Sequence, residues 1–239
     1  MIEAQNLSKS YGAIRAAHDV SFTVEPGDVV GFLGPNGAGK STTMKMLAGA
    51  LVPDHGTAKV GGFDLTTERI SAQRCLGYMP EAAGGFSDLT VREFLTFCGE
   101  TRQIPLSDVQ SIIEEISERT QLAPALTKPM RTLSKGWRQR AWFTQAVLHQ
   151  PAALILDEPT DGLDPGQKDH IRSYIREISP QTAIILSTHI LQEAEELCSR
   201  VIIIAGGQIV KDAPIGELLD QKGRLGAAFA DLTAAAQAA

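Results

Sequence analysis

The sequence predicts an α/β fold in which a largely parallel sheet carries helices on both faces. Three observations point there. The apolar run DVVGFLG at 28–34 leads into a glycine-rich loop and then the helical pattern STTMKMLAGAL. Strand, glycine loop and helix is the opening of an α/β unit. Further apolar runs at 153–157, 183–187 and 201–205 suit strands covered on both faces, with helical patterns between them. The stretch from about 87 to 150 holds helical patterns and no strand, so it reads as a helical insert.

Along the chain, Val20, Phe22 and Val24 alternate as in a half-buried strand, which Pro26-Gly27 ends. Thr90-Val-Arg-Glu93 is a capping-box sequence, and Ser107-Asp-Val-Gln110 is a second. Val109, Ile112, Ile113 and Ile116 keep the spacing of one apolar helical face. Asp164-Pro165 reads as an N-cap followed by proline at the first helical position. The segment from Lys222 to Ala239 is alanine-rich and reads as a short helix with a frayed end. Residues 1–220 are therefore expected to form one domain, and 221–239 a tail.

Composition excludes several classes. With 239 residues, 43% apolar, the chain can bury roughly 70–75% of its unfolded surface without a disulfide or zinc. Twenty-two Lys+Arg against 28 Asp+Glu give a net charge of −6, and no basic run stands out, so nucleic acid is not the expected partner. Cys75, Cys98 and Cys198 lie far apart with no CxxC spacing, as expected of buried small hydrophobes in a reducing compartment. The opening MIEAQNLSKSYG lacks a signal-peptide pattern, and no apolar run approaches the ~18–20 residues of a membrane helix. The expectation is a cytoplasmic chain that meets a membrane only through a partner.

The chemistry begins at GPNGAGKST, 34–42, a full match to G-x-x-x-x-G-K-[ST] between a strand and a helix. Gly34, Gly37 and Gly39 let successive N–H groups turn toward one anion, and the helix adds its positive end. Pro35, Asn36, Ala38 and Thr42 complete the loop. Lys40 offers a full charge to β/γ-phosphate oxygens, and Ser41 a hydroxyl to Mg²⁺. In AALILDEPT, Asp157 ends an apolar strand where open α/β sheets bind ligands, placed to hold Mg²⁺. Glu158 can orient or deprotonate an attacking water. His189, in ILSTHIL, closes another strand beside the γ-phosphate position. These parts describe a P-loop ATPase or GTPase, and the lack of an NKxD-type motif favours ATP.

A second anion-binding arrangement follows at LSKGWRQR, 133–140, where Ser134 sits at a helix N-terminus with Lys135 and the Gly136 backbone alongside. If it belongs to the helical insert it need not face its own glycine loop, which suggests two copies covering each other's nucleotide.

Across residues 1 to about 215 the sequence resembles the ATP-binding subunits of ABC transporters. GPNGAGKST is similar to Walker A, LSKGWRQR to the signature motif and LILDEP to Walker B, with Glu158 at the catalytic glutamate position. The resemblance implies that Tyr11 in KSYG stacks on adenine, that Asp164 in DGLDP is the D-loop acid, and that His189 is the switch histidine. It implies a RecA-like P-loop core, an N-terminal antiparallel β-subdomain and a helical insert carrying the signature. Two ATP molecules would be held in a homodimer that drives a separate transmembrane permease. Lys135 and Trp137 depart from an LSGGQ-like signature, and Glu81 in GYMPEAAGG stands where many cassettes have glutamine. Both variants resemble exporter cassettes encoded apart from their membrane subunits, and the short tail after the cassette also favours export. Glu81 is either a third group near Mg²⁺ or a loop surface acid, and Trp137 either packs or contacts ligand. A soluble cassette machine acting on nucleic acid or ribosomes is the competing reading. A nucleotide kinase or GTPase switch has no reason to carry LSKGWRQR.

Overall fold

The computed structural model describes residues 1–82 and 84–237. Ala83, in the loop at 82–86, and residues 238–239 of the alanine-rich tail lie outside the described residues. The strands are β1 (Ile2–Tyr11), β2 (Ile14–Val24), β3 (Val29–Leu33), β4 (His55–Val60), β5 (Phe63–Asp64), β6 (Leu76–Met79), β7 (Ala153–Asp157), β8 (Ala183–Ser187), β9 (Arg200–Ala205) and β10 (Gln208–Pro214). Among the described residues they form two sheets. An N-terminal antiparallel sheet has the order β2-β1-β4-β5, and the central sheet runs β10-β9-β3-β8-β7-β6. The central sheet is parallel except at β10, which returns antiparallel along β9.

Why the central strands read as unbroken apolar runs follows from their two faces. Successive strand side chains point to opposite sides. Val30, Phe32, Ile155, Ile185, Ile202 and Ile204 enter a core shared with the N-terminal sheet. Their neighbours Leu33, Leu154, Leu156, Ile184, Leu186, Val201 and Ile203 enter a second core shared with the helical segment. With both faces buried, no polar residue interrupts the pattern.

The helices are α1 (Lys40–Leu47), α2 (Arg69–Arg74), α3 (Val91–Thr101), α4 (Leu106–Arg119), α5 (Lys135–Val147), α6 (Pro165–Ile178), α7 (Leu191–Leu197) and α8 (Gly226–Gln237). At α3 the capping box forms: Glu93 N donates to Thr90 Oγ1 at 3.2 Å, and Thr90 N donates to Glu93 Oε2 at 2.7 Å. The second box does not form. Pro105 caps α4, so the helix starts earlier and Ser107 lies inside its first turn, its hydroxyl donating to Asp108 Oδ1 at 2.7 Å. Proline's fixed φ suits that start, and Asp108 complements the helix dipole there. The cysteines also need correction: all three are free, but only Cys198 is buried, and Cys75 and Cys98 are half-buried.

Phe94 anchors the helical core. It is fully buried, with ring centroids 5.3 Å from Trp142 and 5.0 Å from Phe86. Phe94→Ala is expected to cost about 3–5 kcal/mol, read as a lower denaturant midpoint with an unchanged slope.

Candidate active site

Strands β3, β8 and β7 are neighbours, and the loops leaving their C-terminal ends converge. After β3, the chain folds tightly against backbone from two other strands. A Cβ on Gly34 would strike the Ile204 carbonyl oxygen, and one on Gly39, at φ +106°, would strike that of Ala16. Only glycine fits either position. Lys40 opens α1 and is almost fully buried, with Nζ donating to Gly34 O at 2.7 Å and Pro35 O at 3.1 Å. Burial lowers its pKa, opposed by the charges of Glu158, Asp157 and Glu81. The first turn of α1 carries no acidic side chain, so the helix's positive end is free for an anion.

A cavity of about 490 Å³ lies over this loop, lined by Asn36, Gly37, Gly39, Lys40, Ser41 and Thr42. Tyr11, Ala16, Glu81 and Glu158 complete it. Tyr11 is half exposed, as an aromatic face open to a ligand must be. Gly34 and Ala38 are buried and Pro35 half-buried, so they shape the loop without lining the cavity.

Asp157 ends β7 and is 1% exposed. Its Oδ1 accepts from Ser187 Oγ on β8, while its Oδ2 is buried with no partner. Burial raises the Asp157 pKa, with Glu81 adding to the rise and the Ser187 and Ser41 hydroxyls and Lys40 opposing it. Ser41 Oγ donates to Glu81 Oε2 at 3.2 Å, which brings Glu81 to the cluster. An orphaned carboxylate oxygen in a buried position is costly until something partners it. With Ser41 and Glu81 nearby, this all-oxygen set fits a hard cation such as Mg²⁺, which retains waters and shares phosphate oxygens. Among the described residues no group of three or more His, Cys, Asp or Glu is placed to hold a metal ion.

Glu158 adopts φ +54°, a left-handed conformation costing about 1–3 kcal/mol for a non-glycine residue. Three bonds to its backbone hold it: its N donates to Ser187 O at 3.1 Å, and its O accepts from Gln139 Nε2 at 2.5 Å and from Asp161 N at 3.2 Å. The turn aims the carboxylate at His189, whose Nδ1 lies 2.9 Å from Glu158 Oε2. Burial raises the Glu158 pKa, and His189 and Lys40 oppose that rise. A carboxylate that lines an open cavity and has a raised pKa suits the chemistry of a general base.

Five residues singled out in the sequence are not brought to this cavity. Ser134 is exposed and caps α5, accepting from Trp137 N at 3.5 Å. Lys135 pairs with Asp161 at 2.5 Å, and Gly136 packs against Gly162. Asp164 caps α6, accepting from Gln167 N at 2.9 Å. Trp137 packs, with the Arg140 guanidinium 3.8 Å above its ring. Sequence reasoning missed Gln139, Ser187, Thr160, Thr188 and Glu193, whose contacts join segments distant in sequence.

A second cavity, of about 480 Å³, lies near the N-terminal ends of β7 and β8, lined in part by Arg119, Tyr174 and Thr182. Arg119 is already engaged there, paired with Glu177 and stacked 4.4 Å over the Tyr174 ring.

The family model described as "ABC transporter" matches residues 17–161. The uncharacterized ABC transporter ATP-binding protein YxlF of Bacillus subtilis (strain 168) is 39% identical, over 93% of this chain and 74% of its own length. The Nod factor export ATP-binding protein I of Rhizobium meliloti is 33% identical, over 92% of this chain and 66% of its own. A solved structure of the ATP binding subunit of an ABC transporter superposes with a TM-score of 0.90 at 29% identity, covering 98% of this chain and 99% of that one.

Proposed function

The chain belongs to the ABC transporter family as an ATP-hydrolysing cassette, and from that premise we propose that it acts as a homodimer clasping two ATP molecules and driving a separate membrane permease, in the direction of export. The observation that carries the dimer is the separation of two phosphate-binding surfaces. The loop at 34–42 lines an open cavity, while Ser134, heading a 13-residue helix, is exposed outside it. A second copy supplies what one copy lacks. Analytical ultracentrifugation with and without ATP tests this, and a chain that remains monomeric with ATP while hydrolysing it at full rate would overturn it.

In this reading Lys40 and the loop N–H groups bind the β- and γ-phosphates, and Tyr11 stacks on adenine. Ser41 and Asp157, with Glu81, would hold Mg²⁺, and the chemistry it would supply there is neutralisation of phosphate charge. Glu158 takes the proton from the attacking water, and His189 fixes Glu158 and the γ-phosphate side of the site. Ser134, Lys135 and Gly136 complete the other copy's γ-phosphate site, and Asp164 stands between copies. Residues 1–220 are the catalytic domain with its helical subdomain at about 87–150, and the segment expected to be a tail returns to that domain, with Leu225 buried in the core and Phe229 and Leu232 of α8 packed against it.

A permease is supported by two observations. No helix of the described residues is long and apolar enough to cross a membrane. Phe86 and Phe97 leave 40% and 46% of their surface exposed on one patch, with ring centroids 5.5 Å apart. A short helix of a membrane partner would cover that patch. Export is favoured by the likeness to a Nod factor export protein. The double variant Phe86→Ser, Phe97→Ser is expected to keep basal ATP turnover within about twofold and to lose transport in reconstituted vesicles. Unchanged transport would remove the patch from the docking surface.

A further inference from the structure

Glu193 is a buried carboxylate that the mechanism above does not use. It lies on α7 and is 2% exposed, yet three side chains from separate segments converge on it. Its Oε1 accepts from Thr160 Oγ1 and from Lys168 Nζ, the latter at 3.2 Å, and its Oε2 accepts from Thr188 Oγ1 at 2.8 Å. Thr160 lies two residues after Glu158, and Thr188 immediately precedes His189. Thr188 Oγ1 in turn accepts from Ile190 N at 3.0 Å, which fixes the turn on which His189 sits. Both threonines are fully buried, and Lys168 belongs to α6, the helix that Asp164 opens.

We propose that Glu193 is a positioning residue for ATP hydrolysis: by clamping the loop after β7 to the loop after β8 it sets the Glu158–His189 separation. The proposal rests on Glu158 and His189 being the hydrolytic pair. The physical need for a clamp is visible in both loops. Glu158 is largely buried and held by its own backbone bonds in a strained conformation. The His189 side chain, in contrast, is largely exposed and does not hold the 2.9 Å contact by its own packing, so the contact depends on where the loop after β8 is anchored. A buried carboxylate accepting from two hydroxyls and an ammonium forms strong charge-assisted bonds, and those bonds tie the loops to one another. The side-chain bonds of Glu193 go to Thr160, Lys168 and Thr188, none of which lines the cavity, so its effect falls on turnover and not on nucleotide binding.

The test is steady-state ATP hydrolysis and ATP affinity of the full chain with Glu193→Leu, which keeps volume and removes both acceptors, and Glu193→Gln, which keeps one. Glu193→Leu is expected to lower kcat roughly 10–100-fold, the scale of a misplaced catalytic group, with KM and ATP affinity changed less than about threefold, and Glu193→Gln to recover most of the loss. In a Glu158→Gln background Glu193→Leu should lower the residual rate no further, because its route through Glu158 is already closed. An unchanged kcat, or a loss of the same size in both backgrounds, overturns the proposal. If Glu193→Leu does not fold, Thr160→Val with Thr188→Val opens the same clamp and is judged by the same criteria. Normal turnover by Glu158→Gln alone would instead sink the hydrolytic pair, so the two failures are distinguishable.

Discussion

Glu158→Gln is expected to slow ATP turnover by roughly 10²–10⁴-fold, the range associated with losing a general base, while ATP still binds. The substitution keeps size and shape, so the left-handed turn stays held by Ser187 O and Gln139. An amide can still bond His189 but cannot take a proton from water. Binding rests on other groups, chiefly Lys40 and the glycine loop, so ATP affinity by equilibrium dialysis should shift less than about threefold. Because ATP clasped between the copies joins them in the proposed homodimer, a variant that binds ATP without hydrolysing it should also accumulate as an ATP-bound dimer. Phosphate release at the normal rate would take Glu158 out of the mechanism.

Much of this site is legible in the sequence because its parts are local. GPNGAGKST follows a doubly buried strand and opens a helix, so residue order alone fixes the geometry of an anion site. Asp157 and Glu158 end β7, and His189 follows β8, each read from the apolar run before it. Asp164-Pro165 and Thr90–Glu93 cap their helices as their spacing requires. The N-terminal sheet was harder to see. β1 contains register shifts between Ala4 and Leu7 and between Leu7 and Lys9, and Asn6 has φ +53°, so its alternation is interrupted. β6 is four residues long and is recognised only through its pairing with β7. Glu193 was hidden for a different reason. In LQEAEEL it looks like one acid of a solvated helical face, and its partners Thr160 and Lys168 are distant in sequence. Nonlocal hydrogen bonds leave no periodic trace.

The dimer is tested most sharply by splitting its two surfaces between copies. Ser134→Glu puts a carboxylate where the other copy's γ-phosphate would lie, and Lys40→Ala removes the ammonium that Gly34 O and Pro35 O surround. Each variant alone should turn ATP over roughly 10²–10³-fold more slowly, the cost of one lost charge-stabilising donor or more. The loss of a serine cap is about 1 kcal/mol, so Ser134→Glu should remain folded and, as a monomer, still bind ATP. In an equal mixture, half of the dimers are mixed, and each mixed dimer joins both defects in one site and neither in the other. About a quarter of the normal number of sites is then intact, as head-to-tail pairing requires. Phosphate release from the mixture should rise to that fraction, although neither component works alone. If both surfaces acted on a nucleotide within one chain, every chain in the mixture would carry a defective site, and mixing would restore nothing.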